Sequence, residues 1–192
     1  MKKLIFLQAL FLGLFIILSG FRLVVFDVDF YMKFNNNRED TLKIVEYLQE
    51  GKPLNGFTDK EVTHMTDVKI IIDVFLLIFY LSFVFFIFIT GFLIYENKFN
   101  NKIFIYGALL AIVFLLIMFL LSLNFQSLFL NFHEVFFENN SWIFNQEDKL
   151  VNLFSEAFFK SMLSRILAID FILAFFTIII GLVSNRNYKH NI

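Results

Sequence analysis

Two of the chain's three histidines have neighbours that could support acid–base chemistry. His64 follows Glu61 by three residues and precedes Asp67 by three, so a helix would place all three side chains on one face. A carboxylate in that position can hold one imidazole nitrogen and leave the other free to transfer a proton. A hydrated histidine at a membrane surface would have the same neighbours, so both interpretations stay open here.

The second histidine lies in the aromatic run NFHEVFFENNSWIF, residues 131–144. His133 is followed by Glu134, and large aromatic side chains lie nearby: Phe132, Phe136, Phe137 and Trp142. If Asn131 begins a helix, His133 falls in the first turn, where burial and the helix dipole both favour the neutral imidazole that accepts a proton. Alternatively, the third span continues unbroken through His133. The same aromatic residues are also typical of a belt at the membrane surface.

Metal binding is an alternative use of these side chains. The ligands would be His64, Asp67, His133 and Glu134. Position 137 is a phenylalanine, however, so the H-E-x-x-H pattern of zinc hydrolases is not completed. The chain has no cysteine, which excludes thiolate nucleophiles, disulfides and cysteine metal sites. Phosphate-binding glycine loops and the G-x-S-x-G motif of serine hydrolases are absent too, and no metal or other cofactor is expected.

The elements that must position the histidines are membrane helices. The chain is 59% hydrophobic and 17% charged, whereas soluble domains are about a quarter charged. Apolar blocks at 4–26, 70–95, 103–123 and 166–183 are each close to the ~20 residues that cross a bilayer. The sequence therefore predicts a membrane all-α protein with four transmembrane helices, the first an uncleaved anchor. No basic stripe suggests a nucleic-acid partner.

The distribution of basic residues predicts the orientation. The N-terminus, the loop 96–102 and the tail 184–192 carry Lys2, Lys3, Lys98, Lys102, Arg186 and Lys189 against one acid, Glu96. By the positive-inside rule both termini lie in the cytoplasm, and the connections 27–69 and 124–165 face outward. These two outer loops are expected to form a small extracytoplasmic cap, with both histidines at the boundary between cap and membrane. The third histidine, His190, belongs to the inner tail.

Local patterns predict the structure of the outer loops. In the first loop, a strand is expected at 28–34, an amphipathic helix at 40–49, a turn at 52–56 and a helix from Thr58, where Thr58 and Glu61 have capping-box spacing. In the second loop, the third span should end near 124–127. A further helix, capped by Asn145, would carry Leu150, Leu153, Phe154 and Phe158 on one face.

Three charged residues are predicted to lie inside the membrane at one depth. Arg22, Asp73 and Asp170 should each be ~6–8 Å below the outer surface, given 1.5 Å of rise per helical residue. Buried charges at matching depth usually pair, so Arg22 would bridge the two acids and hold the bundle together. Alternatively, Arg22 binds a lipid headgroup or a substrate carbonyl while the acids orient it.

Three segments resemble a bacterial family of four-span membrane proteins that includes the lipoprotein intramolecular transacylase, Lit. They are HMTDVK at 64–69, FHEVFFENNSWIF at 132–144 and DKLVNLFSEAFF at 148–159. The resemblance covers nearly the whole chain in order: anchor, outer loop, histidine before the second span, histidine after the third, and final span.

The resemblance implies an acyl transfer within one substrate molecule at the outer face of the bacterial plasma membrane. The sn-2 acyl chain of a diacylglyceryl-modified lipoprotein moves to the α-amino group of its N-terminal cysteine and gives the lyso form. In the family, two interfacial histidines are catalytic, and they match His64 and His133 here. We assign His133 as base and His64 as acid or oxyanion donor, because an imidazole can remove a proton from the attacking amine, although the resemblance does not itself distinguish the two roles. Supporting residues would be Glu61, Asp67, Glu134 and Arg22. Aromatic residues would confine the lipid substrate: Phe132, Phe136, Phe137, Trp142 and Tyr31.

Two other functions stay open at this stage. One is a metal-dependent membrane hydrolase that uses the histidine and carboxylate ligands named above. The other is a membrane subunit with no enzymatic activity.

Overall fold

The computed structural model describes residues 2–35, 37–137 and 140–190, and these residues form an all-helical fold. The helices are α1 (Lys2–Val24), α2 (Val28–Tyr31), α3 (Arg38–Glu50), α4 (Asp59–Tyr95), α5 (Lys102–Ser122), α6 (Phe125–Phe136), α7 (Lys149–Leu153) and α8 (Glu156–His190), with a 3₁₀ turn at Asn140–Trp142. No strand occurs in the described part of the chain. The predicted all-α class is confirmed.

Among the described residues, four helices are long and apolar enough to cross a membrane: α1, α4, α5 and the Glu156–Ser184 part of α8. This finding confirms a multi-pass membrane protein. Both α4 and α8 begin well before the apolar blocks that start at 70 and 166. Hydropathy detects only the lipid-crossing part of a helix, and the polar first turns of α4, residues 59–69, contain His64.

One compact unit contains Met1–Arg22, Phe75–Phe119 and Ile166–Ile192. Its buried core includes a cluster of Leu12, Ile16, Phe86, Ala108, Ala111 and Ala174. The small residues allow close helix contact, since a side chain at Gly13 would lie 3.1 Å from the carbonyl oxygen of Gly107. The side chain of Gln8 donates a hydrogen bond to Thr90 at 2.7 Å.

The charged residues predicted to lie at one depth make separate contacts. Arg22 Nε donates to the Tyr80 hydroxyl at 3.0 Å. Asp170 is fully buried and accepts a hydrogen bond from the Gly20 backbone N–H at 2.6 Å. Asp73 forms an ion pair with Lys69, one helical turn before it, at 3.2 Å.

A second compact unit contains Leu23–Val74 and Leu120–Arg165, and so includes both predicted outer loops. Aromatic rings fill its interior, with Phe158 in contact with Phe30 and Phe34 at 5.6 Å and with Tyr31 at 4.9 Å. The Asn35 side chain links the two loops, because it donates to the Leu153 carbonyl at 3.3 Å. The two loops therefore fold as one body.

Local capping decides the structure of the first loop. The strand predicted at 28–34 is wrong: Val28–Tyr31 is a short helix, and Asp27 caps it by accepting from the Phe30 backbone N–H at 3.0 Å. A lone strand needs a neighbour for its backbone groups, whereas this turn satisfies them locally. The amphipathic helix is confirmed as α3, which ends at Glu50 and is followed by the C-cap residue Gly51, with φ at 73°.

The second loop differs from its prediction in two places. α6 begins at Phe125, capped by Asn124, so His133 lies in the last turn of a helix and not in the first. The helix expected after Asn145 is two helices, because α7 ends at Leu153 and α8 begins at Glu156. Ser155 starts α8 by accepting a hydrogen bond from the Phe158 backbone N–H at 3.3 Å.

Candidate active site

The start of α4 positions His64. The Thr58 backbone N–H donates to Glu61 at 2.8 Å, and the Glu61 N–H donates back to the Thr58 hydroxyl at 3.3 Å. This is the predicted capping box, and it fixes the first turn of the helix. His64 lies in the next turn, with only 8% of its surface exposed.

α6 positions His133 through its apolar face. Phe125 and His133 are the buried residues of this helix, and His133 is 8% exposed. Its Nδ1 atom donates a hydrogen bond to the Phe129 carbonyl oxygen at 2.7 Å. A carbonyl only accepts, so the proton of the neutral ring lies on Nδ1, and Nε2 carries the lone pair.

The two imidazole rings lie next to each other, as the sequence predicts. Their centroids are 6.1 Å apart and their planes differ by 22°. Phe137 contacts both rings, at 4.8 Å from His64 and 5.3 Å from His133, and is itself buried. The site is therefore a pair of imidazoles in a largely apolar setting.

Burial keeps His133 neutral. Loss of hydration lowers the pKa of His133 below its usual 6.5, and the hydrogen bond to Phe129 opposes that shift only in part. The predicted contribution of burial is confirmed, whereas the predicted contribution of a helix N-terminus is wrong. His133 lies near the C-terminus of α6, where the dipole favours the cation, so burial is the dominant effect.

His64 has an uncompensated polar atom. Its Nδ1 is buried and has no hydrogen-bond partner among the described residues. A buried nitrogen without a partner costs about 1–3 kcal/mol. A substrate oxygen or proton placed against this atom would remove that cost.

The three predicted supporting carboxylates, Glu61, Asp67 and Glu134, differ in burial and in their hydrogen-bond partners. Glu61 is 1% exposed, and its oxygens accept from Thr58 and from the Leu150 backbone N–H at 3.1 Å. It joins α4 to α7, and these hydrogen bonds do not go to His64, so the expected hold of Glu61 on the imidazole is corrected. Asp67 accepts from the Ser141 hydroxyl at 3.4 Å, and Glu134 is exposed.

The predicted aromatic residues surround His133 only in part. Trp142 lies 5.1 Å from the His133 ring and Phe132 lies 5.6 Å from it, edge-on. Phe136 packs on Phe132 at 4.7 Å and is 44% exposed. Tyr31 belongs to the aromatic interior of the unit, where its hydroxyl donates to the Val25 carbonyl at 2.7 Å. Burial, together with the charge of Asp27, raises the pKa of Tyr31.

Three residues of the site are not among those predicted. The Phe129 ring is 4.2 Å from His133, and Phe144 meets His64 edge-on at 5.4 Å. Lys60 donates to the Ile143 carbonyl and lies 5.3 Å from the centre of the Phe144 ring. Phe129 precedes His133 by four residues, and Lys60 precedes His64 by four. In a helix this spacing places each residue next to its histidine, so the sequence could have indicated both contacts if the two helices had been assigned correctly.

The proposed metal ligands do not form a cluster. Within residues 2–35, 37–137 and 140–190, no group of three or more His, Asp or Glu side chains could hold a metal ion. Glu134 is exposed whereas its neighbour His133 is buried. The geometry gives the metal-dependent alternative no ligand set in the described part of the chain.

A family model matches most of the chain, and solved structures share its fold. The profile described as "Lipoprotein intramolecular transacylase Lit" matches residues 6–159. The structure of the membrane integral Lit from Bacillus cereus has a TM-score of 0.83 at 20% identity, over 96% of this chain and 97% of that one. A Bacillus cereus Lit variant with a histidine replaced by alanine has a TM-score of 0.81 at 18% identity, over 98% and 95% of the two chains.

A relative from Aquifex aeolicus (strain VF5), called an uncharacterized protein, is 26% identical over 148 residues. The alignment covers 74% of this chain and 63% of that relative, so the chain spans less than two thirds of the relative's length.

Proposed function

The chain belongs to the lipoprotein intramolecular transacylase family, and we propose that it transfers an acyl chain within a diacylglyceryl-modified lipoprotein. The sn-2 acyl group would move from the glyceryl oxygen to the α-amino nitrogen of the N-terminal cysteine. The observation that carries the proposal is the pair of buried imidazoles 6.1 Å apart. Amine and ester belong to one molecule, so the protein need supply only proton transfer, charge stabilisation and a folded-back substrate.

His133 is the proposed base. The attacking amine has a free pKa of about 8 and must lose a proton to attack. The Nε2 lone pair of His133 is available for this proton, because Nδ1 is occupied by its hydrogen bond to Phe129.

His64 is the proposed stabiliser of the oxyanion. When the amine nitrogen attacks the ester carbonyl carbon, the carbonyl oxygen becomes negatively charged. A proton on the buried, unpartnered Nδ1 of His64 would donate to that oxygen, and a donor held in place before the reaction is worth more than one in water.

The tetrahedral intermediate collapses with the atoms in balance. A C–N bond has formed, and the bond from the carbonyl carbon to the glyceryl oxygen breaks. The first proton, taken from the ammonium before attack, leaves His133 for solvent. His133 then takes the second proton from the attacking nitrogen and passes it to the glyceryl oxygen. The products are an amide and a free sn-2 hydroxyl. No acyl-enzyme is needed, which suits a chain without cysteine.

The remaining predicted residues have supporting roles in this proposal. Phe132, Phe136, Phe137 and Trp142 would pack the acyl chains and exclude water. The half-buried Asp67, one turn after His64, would attract the substrate ammonium before it loses its proton. Arg22 would contact a lipid headgroup. With both termini in the cytoplasm, the site lies at the outer face of the plasma membrane.

Mass spectrometry of lipoprotein N-termini tests the function. Cells that express the chain should gain the lyso form, and His64→Ala and His133→Ala should each abolish it. Glu46→Ala, which removes an exposed partner of Lys52, is the matched control and should leave conversion intact. Full conversion by either histidine variant would reject the assignment.

Chelation distinguishes the hydrolase alternative. Purified protein treated with a chelator should convert a synthetic diacylglyceryl peptide as fast as untreated protein. Loss of conversion that zinc restores would favour a metal-dependent hydrolase instead. Histidine variants without any effect, together with a stable co-purifying protein, would favour a non-enzymatic subunit.

A further inference from the structure

A short segment lies across the first turns of α4 beside the histidines. We call residues 140–144 the strap; it comprises Asn140, Ser141, Trp142, Ile143 and Phe144. The Ser141 hydroxyl donates to Asp67 at 3.4 Å, and Lys60 donates to the Ile143 carbonyl. Lys60 and Asp67 lie four residues before and three residues after His64, so one helical face holds both ends of the strap.

The strap places one aromatic ring against each histidine. Trp142 lies 5.1 Å from His133, and Phe144 lies 5.4 Å from His64 with its plane at 68°. The Lys60 ammonium lies 5.3 Å from the centre of the Phe144 ring, a cation–π distance. Lys60 therefore holds both the backbone and a side chain of the strap.

The exposure pattern shows that the strap is a cover. Ile143 is 51% exposed, whereas His64 and His133 are each 8% exposed. Trp142 and Phe144 are intermediate, since they present one side to the histidines. The outer surface of the strap is thus open and its inner surface is occupied by the two imidazoles.

We propose that Lys60 is a positioning residue that tethers the strap and so keeps water away from the ester. This inference rests on the proposed function. If the strap opens, water can replace the amine: its oxygen attacks the carbonyl carbon, the bond to the glyceryl oxygen breaks, that oxygen takes up a proton, and a free fatty acid leaves. Lys60 thereby determines whether the acyl group goes to nitrogen or to water.

The first measurement follows the strap directly. Trp142 is the chain's single tryptophan, so its fluorescence reports on the strap without interference. In the full-length protein in detergent micelles, which contain no tryptophan, Lys60→Met should raise the acrylamide quenching constant about twofold or more, because the tether is lost. Lys60→Arg keeps a cationic donor and should restore the wild-type value. Lys52→Met removes an exposed lysine that pairs with Glu46 and Glu50, and it is the matched control.

The second measurement follows the products. With a synthetic diacylglyceryl peptide in ¹⁸O-water, Lys60→Met should raise the ratio of labelled free fatty acid to lyso product by about fivefold. A change in stability alone would slow both products and leave the ratio unchanged. Ser141→Ala removes the other tether and should shift the ratio in the same direction, which keeps the test valid if Lys60→Met folds poorly.

The outcomes separate the claims. Unchanged quenching in Lys60→Met and Ser141→Ala would overturn the tether, and raised quenching with an unchanged product ratio would overturn the water-exclusion role. A wild-type protein that forms no lyso product would reject the proposed function and with it the water-exclusion role. The quenching result would still decide whether Lys60 holds the strap.

Discussion

The Phe129 carbonyl oxygen and the Nδ1 atom of His133 are 2.7 Å apart, one helical turn from each other in α6. This contact fixes two properties of the imidazole together. It sets the ring orientation, and it assigns the proton to Nδ1 so that Nε2 is left as the basic atom. The two nitrogens of one ring thus have separate roles, one structural and one proposed to be chemical.

Replacement of His133 by asparagine should separate these two roles. An asparagine amide can donate to Phe129 as Nδ1 does, but it has no atom in the place of Nε2. We expect His133→Asn to keep its melting temperature near that of the wild type while the transfer rate falls about 100- to 10,000-fold. Circular dichroism and single-turnover product analysis measure the two quantities. A variant that transfers at a rate near wild type would show that His133 is not the base.

Acid should destabilise the wild type more than His133→Asn. Burial lowers the folded-state pKa of His133, whereas the unfolded chain has the ordinary value of 6.5. Below that pH the unfolded state binds a proton that the folded state does not, so stability falls as pH falls. Melting curves between about pH 8 and about pH 5 should therefore show a larger loss for the wild type. Equal losses in the two proteins would contradict the burial argument.

The histidine pair was predictable because topology alone constrains it. His64 precedes the second apolar block and His133 follows the third, so any four-span arrangement brings both to one side. The turn of helix that holds His133 was not predictable. Asn124 and Asn131 are both suitable N-caps, and only the structure shows that Asn124 is used.

The role of Glu61 shows why spacing alone was not enough. The same carboxylate has the right separation to cap Thr58 and to hold His64, and the sequence does not rank the two uses. The contact that decides is with the backbone of Leu150, far away in the chain. The strand expected near Val28 failed for the opposite reason, because the Asp27 cap is local and outweighs the alternating pattern.

Glu61 should matter for stability more than for chemistry. Glu61→Ala would leave the donors of Thr58 and Leu150 without their buried acceptor and should lower the free energy of unfolding by about 1–3 kcal/mol. Glu46→Ala, which breaks a surface ion pair with Lys52, should cost less than about 0.5 kcal/mol. Thermal melts followed by circular dichroism compare the two. If Glu61→Ala were as stable as the control, the hydrogen bonds that join α4 to α7 would not contribute to the stability of the fold.

Gly20 should tolerate no side chain, because it packs closely against α8 within the compact unit that contains Met1–Arg22 and Ile166–Ile192. A Cβ atom there would be 2.6 Å from the Ile166 carbonyl oxygen and 2.8 Å from the Asp170 carboxylate. Backbone cannot yield as a flexible side chain does, so Gly20→Ala must shift α1 or α8 and stretch the 2.6 Å hydrogen bond from Gly20 to Asp170. We expect a loss of about 1–3 kcal/mol, or a fall in melting temperature of roughly 2–4 °C per kcal/mol.

Gly91→Ala is the matched control for that substitution, because no atom of the described residues outside its own helical turn lies within 4 Å of the place that a Cβ would take. Alanine is a better helix former than glycine, so Gly91→Ala should be neutral or stabilising by roughly 0.5–1 kcal/mol. Thermal melts of both variants in the same detergent give the comparison. If Gly20→Ala had the same melting temperature as Gly91→Ala, the close approach of Gly20 to α8 would not determine stability. The hydrogen bond from Gly20 would then not explain why Asp170 is buried.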